Sequence, residues 1–478
     1  MTDRHNLTML TDFYELTMAN GYFETGISED IAYFDMFFRK TPDGGGFAIM
    51  AGLEQAIEYL SNLRFSDRDI EFLENKKIFS KAFLEYLKKF KFTCDVWAVP
   101  EGTPIFPGEP IISVKGSVIQ AQFIETMLLL LINHQSLIAT KANRIVRAAK
   151  GRGIMEFGTR RAHGASAAVL GSRAAYIGGC IGTACAISER DYGILSLGTM
   201  AHSWVQMYAS EYEAFKKYAE IYPENCTLLV DTYNVLKSGV PNAIKVFKEI
   251  KPEKMGIRID SGDITYLTKR ARKMLDEAGL QDCKIVVSNS LDEYIIRDVI
   301  LEGACVDSFG VGERLITSKS EPVFGGVYKL AAIEKNGVMI PKIKVSENVE
   351  KMTNPGFKTL YRIFDKTTGK AIADVITLDH EKIPDGVNYE IFDPQAIWKR
   401  QTISNFYAVN IRKPIFINGE LVYEIPSLDE TRAYCAEQVA SLWEEMLRFE
   451  NPQIYYVDLS KELWELKSKL LEGAQITY

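Results

Sequence analysis

Between residues 151 and 330 the chain alternates short β-branched apolar runs with longer stretches of helical spacing. Strand candidates fall at 153–157, 180–183, 227–230, 256–259, 284–287 and 307–311, and a helical stretch follows most of them. Repeated βα units can be accommodated only by a parallel sheet, open or closed into a barrel. In both forms ligands bind at the carboxyl ends of the strands. Arg160, Asp231, Asp260, Gly310 and Gly312 sit at or just past those ends, so a site is expected there.

The flanks read differently. Residues 8–22 have roughly helical spacing closed by Gly21, 31–39 reads as a strand, and 51–90 as helices with short breaks. Residues 94–118, with four prolines among β-branched residues, read as a small β-rich unit, and 121–150 as a long helix. After 330 come a polar stretch at 344–358, with a turn at Asn354-Pro355-Gly356, and an acidic amphipathic helix near 428–449. The expected division is an N-terminal α/β domain over 1–120, a catalytic α/β domain over 121–335, and a smaller C-terminal unit over 336–478.

Composition narrows the function. Apolar residues make up 47% and charged residues 25%, so a large core can form. A net charge of −7 offers no basic excess for a nucleic-acid backbone; a bound anion must be held by local groups. Seven cysteines, none in a CxxC pair, argue against a disulfide framework or structural zinc and for a reducing cytoplasm. The opening Met1-Thr2-Asp3-Arg4-His5-Asn6 has no signal core, and the longest uninterrupted apolar run, 127–132, is far below the ~20 residues a spanning helix needs, so no membrane is expected.

Five clusters can carry chemistry. Glu156-Phe157-Gly158-Thr159-Arg160-Arg161-Ala162-His163-Gly164 places paired arginines after a strand, a grip for phosphate or carboxylate, or equally an ordinary surface ion-pair site. Gly198-Thr199-Met200-Ala201-His202-Ser203 brings small residues up to a histidine; by pattern alone His163 is a similar candidate. Val230-Asp231-Thr232-Tyr233 and Arg258-Ile259-Asp260-Ser261-Gly262-Asp263 set carboxylates at strand ends, where they can hold ribose hydroxyls or Mg2+, while Asp263 suits a helix cap. Phe309-Gly310-Val311-Gly312-Glu313 offers N–H groups for a phosphate. It lacks the third glycine of a dinucleotide fingerprint, and no GxxxxGK[ST] occurs.

In this order the clusters resemble the nicotinate phosphoribosyltransferase family. The resemblance runs from Leu10-Thr11-Asp12-Phe13-Tyr14 to Gly325-Gly326-Val327-Tyr328-Lys329-Leu330, and more weakly through 344–358. It implies an irregular α/β barrel of the type II phosphoribosyltransferase kind with an N-terminal α/β domain and a small C-terminal unit. It also implies a homodimer with sites at the subunit interface. The implied reaction joins nicotinate to 5-phosphoribosyl 1-pyrophosphate (PRPP) in NAD salvage, giving nicotinate mononucleotide and pyrophosphate. ATP as co-substrate drives it through a transient phosphohistidine, and Mg2+ accompanies PRPP.

Carried over by position, the resemblance makes His202 the phosphorylated histidine and Asp231 and Asp260 the acidic positions near ribose and metal. Thr199 and Arg258 contact nicotinate, Arg258 through its carboxylate, and Tyr14 lies against the pyridine ring from the neighbouring subunit. Arg161, alone or together with Arg160, matches a phosphate-binding position, and the loop with Gly310 and Gly312 matches the one that receives the 5′-phosphate. Some members have threonine where this chain has Glu313, a carboxylate that must turn away from a phosphate. Competing readings are a nicotinamide phosphoribosyltransferase, a quinolinate phosphoribosyltransferase, and a catalytically silent barrel binding a phosphorylated ligand.

Overall fold

The structure, a computed structural model, describes residues 6–347, 351–384, 386–394 and 396–475. Residues 1–5 of the opening segment and 348–350 of the polar stretch lie outside the described residues. The chain forms two compact units, residues 138–322 and a second built from 1–137 with 323–478. The three consecutive domains expected above are therefore not how it groups, because strands from both ends of the chain share one sheet.

The unit 138–322 contains the six expected strands: β1 (Gly153–Glu156), β2 (Gly182–Thr183), β3 (Cys226–Leu229), β4 (Met255–Ile259), β5 (Lys284–Asn289) and β6 (Ser308–Val311). All pairs are parallel, in the order β2-β1-β6-β5-β4-β3. That is the cyclic order of a six-stranded α/β barrel with one break, between β2 and β3. The segment after β2 turns back onto its open edge: Leu197 N donates to Thr183 O at 2.7 Å and Thr183 N to Leu195 O at 3.0 Å.

Helical periodicity accounts for the outer layer. The helix Val240–Ile250 buries Val240, Ala243, Val246 and Phe247, and Ile264–Glu277 buries Ile264, Thr268, Ala271 and Leu275, a single stripe at three- and four-residue spacing in each. These stripes close on Leu228, Val230, Ile257 and Ile259, all at or below 1% exposure. Each such aliphatic side chain contributes about 1.5–3 kcal/mol on burial. The core thus fixes where β3 and β4 end.

The other unit is organised on a seven-stranded sheet. Ile31–Phe38 runs antiparallel to both Gly326–Lys335 and Ile112–Ser117. Asp95–Ala98 pairs with Ile112–Ser117 on one side and with Lys413–Ile417, from near the other end of the chain, on the other. Two strands of the β-rich stretch 94–118 are therefore part of this sheet, while its middle piece, Pro104–Ile105, pairs with Ala48–Ile49, so the stretch is not a separate small unit. Residues 51–90 resolve into three helices, Leu53–Ser61, Asp67–Asn75 and Lys81–Lys88. A four-stranded sheet orders Phe406–Asn410, Lys358–Asp365, Ala371–Leu378 and Tyr456–Leu459. The helix expected near 428–449 stops at Ala440, followed by a short 3-10 turn, Glu444–Leu447; a reciprocal Ser427–Glu430 capping box starts it. The helix Glu125–Ala148 continues a short helix from Val118. By length and composition this stretch could cross a bilayer, which the count of consecutive apolar residues did not reveal. However, 72% of its most apolar window is buried inside the protein, as in a core helix.

Candidate active site at the carboxyl ends of the barrel strands

The break between β2 and β3 is bridged by side chains. Residues just beyond the edge segment reach toward β4 and toward the loop after β3. Arg258, on β4, donates through Nη1 to Thr199 Oγ1 at 3.2 Å and to Met200 O at 3.4 Å. His202, the first residue of the short helix His202–Gln206, has Nδ1 3.1 Å from Thr232 Oγ1. Its Nε2 lies 3.8 Å from Asp260 Oδ2.

Arg258 and Asp260 share one face of β4 at its end, as period-two alternation demands. Arg258 Nη2 donates to Asp260 Oδ1 at 2.8 Å, and the Phe157 ring lies 5.8 Å from the guanidinium carbon. Burial pushes the Asp260 carboxyl up, but the Ser288 hydroxyl, Arg258 and His202 together outweigh it and hold the carboxyl below its usual range. Gly262, at φ +86°, makes the tight turn after Asp260, and a side chain there would also meet Leu267. Asp263 caps the following helix, accepting from Tyr266 N at 2.8 Å.

Asp231, beyond β3, joins the same network. Its Oδ2 accepts from Asp260 N at 3.1 Å and from Ser261 Oγ at 2.6 Å. Its Oδ1 is buried with no hydrogen-bond partner, an acceptor left unsatisfied by the protein.

The remaining sequence candidates are dispersed. Arg160 and Arg161 are exposed on the 3-10 turn Thr159–Arg161 after β1. Gly310 lies inside β6, not in a loop; its missing side chain makes room for the Phe157 ring, which a Cβ would overlap. Gly312 is at the N-cap of the four-residue helix Glu313–Ile316. Glu313 turns to Lys319 Nζ at 2.8 Å. The Lys319 ion pair, then the Arg161 and Arg314 charges, hold its carboxyl low. Tyr14 belongs to the other unit, exposed on the helix Phe13–Glu24, and borders a cavity of about 520 Å3 with Tyr22, Gln122 and Glu125. Burial first, then Glu125, raises its phenol well above the ordinary value.

One site residue lies outside the motifs, and another lies inside one without an assigned role. Ser288 on β5 bonds both Arg258 and Asp260, yet in the sequence it is one more serine at a strand end. Glu156 was in a cluster but had no role. Its buried carboxylate gathers Gly158 N, Ser172 Oγ at 3.1 Å and Thr183 Oγ1 at 2.7 Å. This fixes the turn that carries Phe157 and the arginine pair. Burial raises its pKa despite those donors.

Comparisons with known proteins bear on the fold and the family. Residues 9–133 match the nicotinate phosphoribosyltransferase N-terminal domain, 357–467 match the nicotinate phosphoribosyltransferase C-terminal domain, and the intervening 138–320 match the quinolinate phosphoribosyl transferase C-terminal domain. The chain is 44% identical to nicotinate phosphoribosyltransferase of Bacillus subtilis (strain 168), covering 97% of this chain and 94% of the relative. It is 31% identical to the Homo sapiens enzyme of the same name, covering 97% of each. The crystal structure of human nicotinic acid phosphoribosyltransferase superposes with a TM-score of 0.85 at 29% identity, over 97% of this chain and 100% of that one. The crystal structure of nicotinate-nucleotide pyrophosphorylase from Pyrococcus furiosus, at 24% identity and a TM-score of 0.68 over 92% and 97%, shares the fold. With an opened α/β barrel of the type II kind, and 44% identity over nearly its whole length to a nicotinate phosphoribosyltransferase, the chain belongs to the nicotinate phosphoribosyltransferase family.

Proposed function

We propose that the chain transfers the phosphoribosyl group of PRPP to nicotinate, releasing nicotinate mononucleotide and pyrophosphate in NAD salvage. The observation that carries this reading is the network joining Thr199, His202, Asp231, Arg258 and Asp260 at one end of the barrel strands. Arg258, held from three directions, pairs with the nicotinate carboxylate; a neutral amide would leave it poorly satisfied. Thr199 sets the other edge of the substrate. Asp231 and Asp260 face the positive charge that develops on the ribose as its bond to pyrophosphate breaks. Arg160 and Arg161, with the backbone where β6 ends before Gly312, two residues past Gly310, hold the phosphates.

ATP is a co-substrate in this reading, hydrolysed to ADP and phosphate through transient phosphorylation of His202, whose imidazole is the nucleophile. Mg2+ enters with PRPP and ATP. The residues fit it: Asp231 has the orphaned buried Oδ1, and Mg2+ is commonly bound by one or two carboxylates plus substrate phosphates. When bound, it neutralises the charge growing on the leaving pyrophosphate. The working form is a homodimer in which Tyr14 of one copy lies against the pyridine ring in the other, and the protein acts in the cytoplasm.

The test incubates the purified chain with PRPP, Mg2+ and nicotinate or nicotinamide, with and without ATP, and quantifies mononucleotide and ADP. Product from nicotinate, increased by ATP with matching ADP release, is expected. Product from nicotinamide alone would overturn the substrate, and ligand binding without pyrophosphate release would make the chain a silent barrel.

A further inference from the structure

Ser288 lies near the end of β5, one strand over from Arg258. Val286 is the register partner of Arg258, so Ser288 stands two residues farther along on the same face, level with Gly310 of β6. It is 4% exposed. Its Oγ accepts from Arg258 Nε at 2.7 Å and donates to Asp260 Oδ1, the oxygen that also accepts Arg258 Nη2 at 2.8 Å. The three side chains close a ring: guanidinium to hydroxyl, hydroxyl to carboxylate, carboxylate back to guanidinium.

We infer that Ser288 is a positioning residue for nicotinate recognition, keeping Arg258 from folding onto Asp260 as a bidentate ion pair. The inference rests on the proposed contact between Arg258 and the substrate carboxylate. A guanidinium and a carboxylate two residues apart on one strand face have a strong alternative geometry, in which Nε and Nη2 grip both carboxylate oxygens. The serine hydroxyl occupies the Nε position of that grip and takes one oxygen of Asp260 as its own acceptor. Nη1 is meanwhile drawn to Thr199 and Met200 O, and the Phe157 ring backs the guanidinium carbon. The edge between Nη1 and Nη2 is the one left to meet an incoming carboxylate. Without the hydroxyl, Nε loses its acceptor in a mostly buried site, and the pair rotates together, carrying that edge away from the substrate.

The experiment compares the unaltered chain with Ser288→Ala and Ser288→Thr, reading KM for nicotinate, KM for PRPP, kcat and thermal stability. A product signal from the unaltered chain comes first; its absence would overturn the proposed reaction and this inference with it. Given that signal, Ser288→Ala is expected to raise the nicotinate KM roughly tenfold, the scale of one charge-assisted hydrogen bond, with PRPP KM little changed. Ser288→Thr, which keeps the hydroxyl, stays near the parent. Unchanged KM values, or both KM values rising together with a lower melting temperature, would overturn the role and leave Ser288 a structural residue.

Discussion

His202 stands between Thr232 and Asp260, with Nδ1 3.1 Å from the threonine hydroxyl and Nε2 3.8 Å from a carboxylate oxygen. One ring nitrogen is thereby held by a neutral partner while the other faces the centre of the network. A histidine that accepts and returns a phosphoryl group needs its ring fixed without losing its nucleophilic nitrogen.

Removing either part should separate energy coupling from transfer. His202→Ala is expected to abolish ATP stimulation, ADP release and acid-labile phosphate incorporation while slow ATP-independent transfer persists. Thr232→Val, which removes one hydrogen bond of ~1 kcal/mol, should lower phosphate incorporation about fivefold. Full ATP-stimulated turnover in His202→Ala would eliminate the relay.

Arg258→Lys replaces a planar fork by a single ammonium. Lysine cannot serve Ser288, Asp260 and Thr199 together and still present two donors to a carboxylate. Steady-state kinetics should show the nicotinate KM rising by at least about tenfold. An unchanged KM would place the substrate carboxylate elsewhere.

Gly310→Ala tests whether that glycine serves the packing of Phe157. A methyl group there overlaps the Phe157 ring, and the ring must leave its place beside Arg258. Overpacking of this kind costs about 1–3 kcal/mol. Both the melting temperature and kcat/KM for nicotinate should fall, whereas a phosphate-loop role alone would weaken PRPP and spare nicotinate.

Glu15 gives a pH prediction. Burial is the main reason its carboxyl is pushed up from 4.5 to about 7, although Thr11 and Thr126 donate to it. A carboxyl whose folded pKa is raised binds its proton more tightly in the native state. Its contribution is complete below pH 4.5 and is lost as pH climbs through about 7. The melting temperature of the parent, relative to Glu15→Gln, should therefore decline between those two values. Parallel curves across that window would show that Glu15 ionises normally.

Much of this protein could be read along the chain. All six barrel strands were placed to within a few residues, because each is a short β-branched run bounded by turns and each ends beside a polar residue. Arg258 and Asp260 were paired by simple alternation on one strand. Asp263 was recognised as a cap from its place before a helix. The family relation followed from the order of the clusters. These are local facts, set by backbone periodicity and by residue types near in sequence.

What only tertiary structure decided are the relations between distant segments. Ser288 matters because β5 lies beside β4, a consequence of strand order that no serine announces. Gly310 became a packing glycine because Phe157, from another strand end, needs the space. The break between β2 and β3, and its bridging by Thr199 and His202, depend on how the ring closes. The division at 120 and 335 gave way to two units because Lys413–Ile417 pairs with Asp95–Ala98. Hydrophobic periodicity says which face of an element is covered; it carries no record of which distant element covers it, and that choice placed the arginine, the serine and the carboxylates within hydrogen-bond reach.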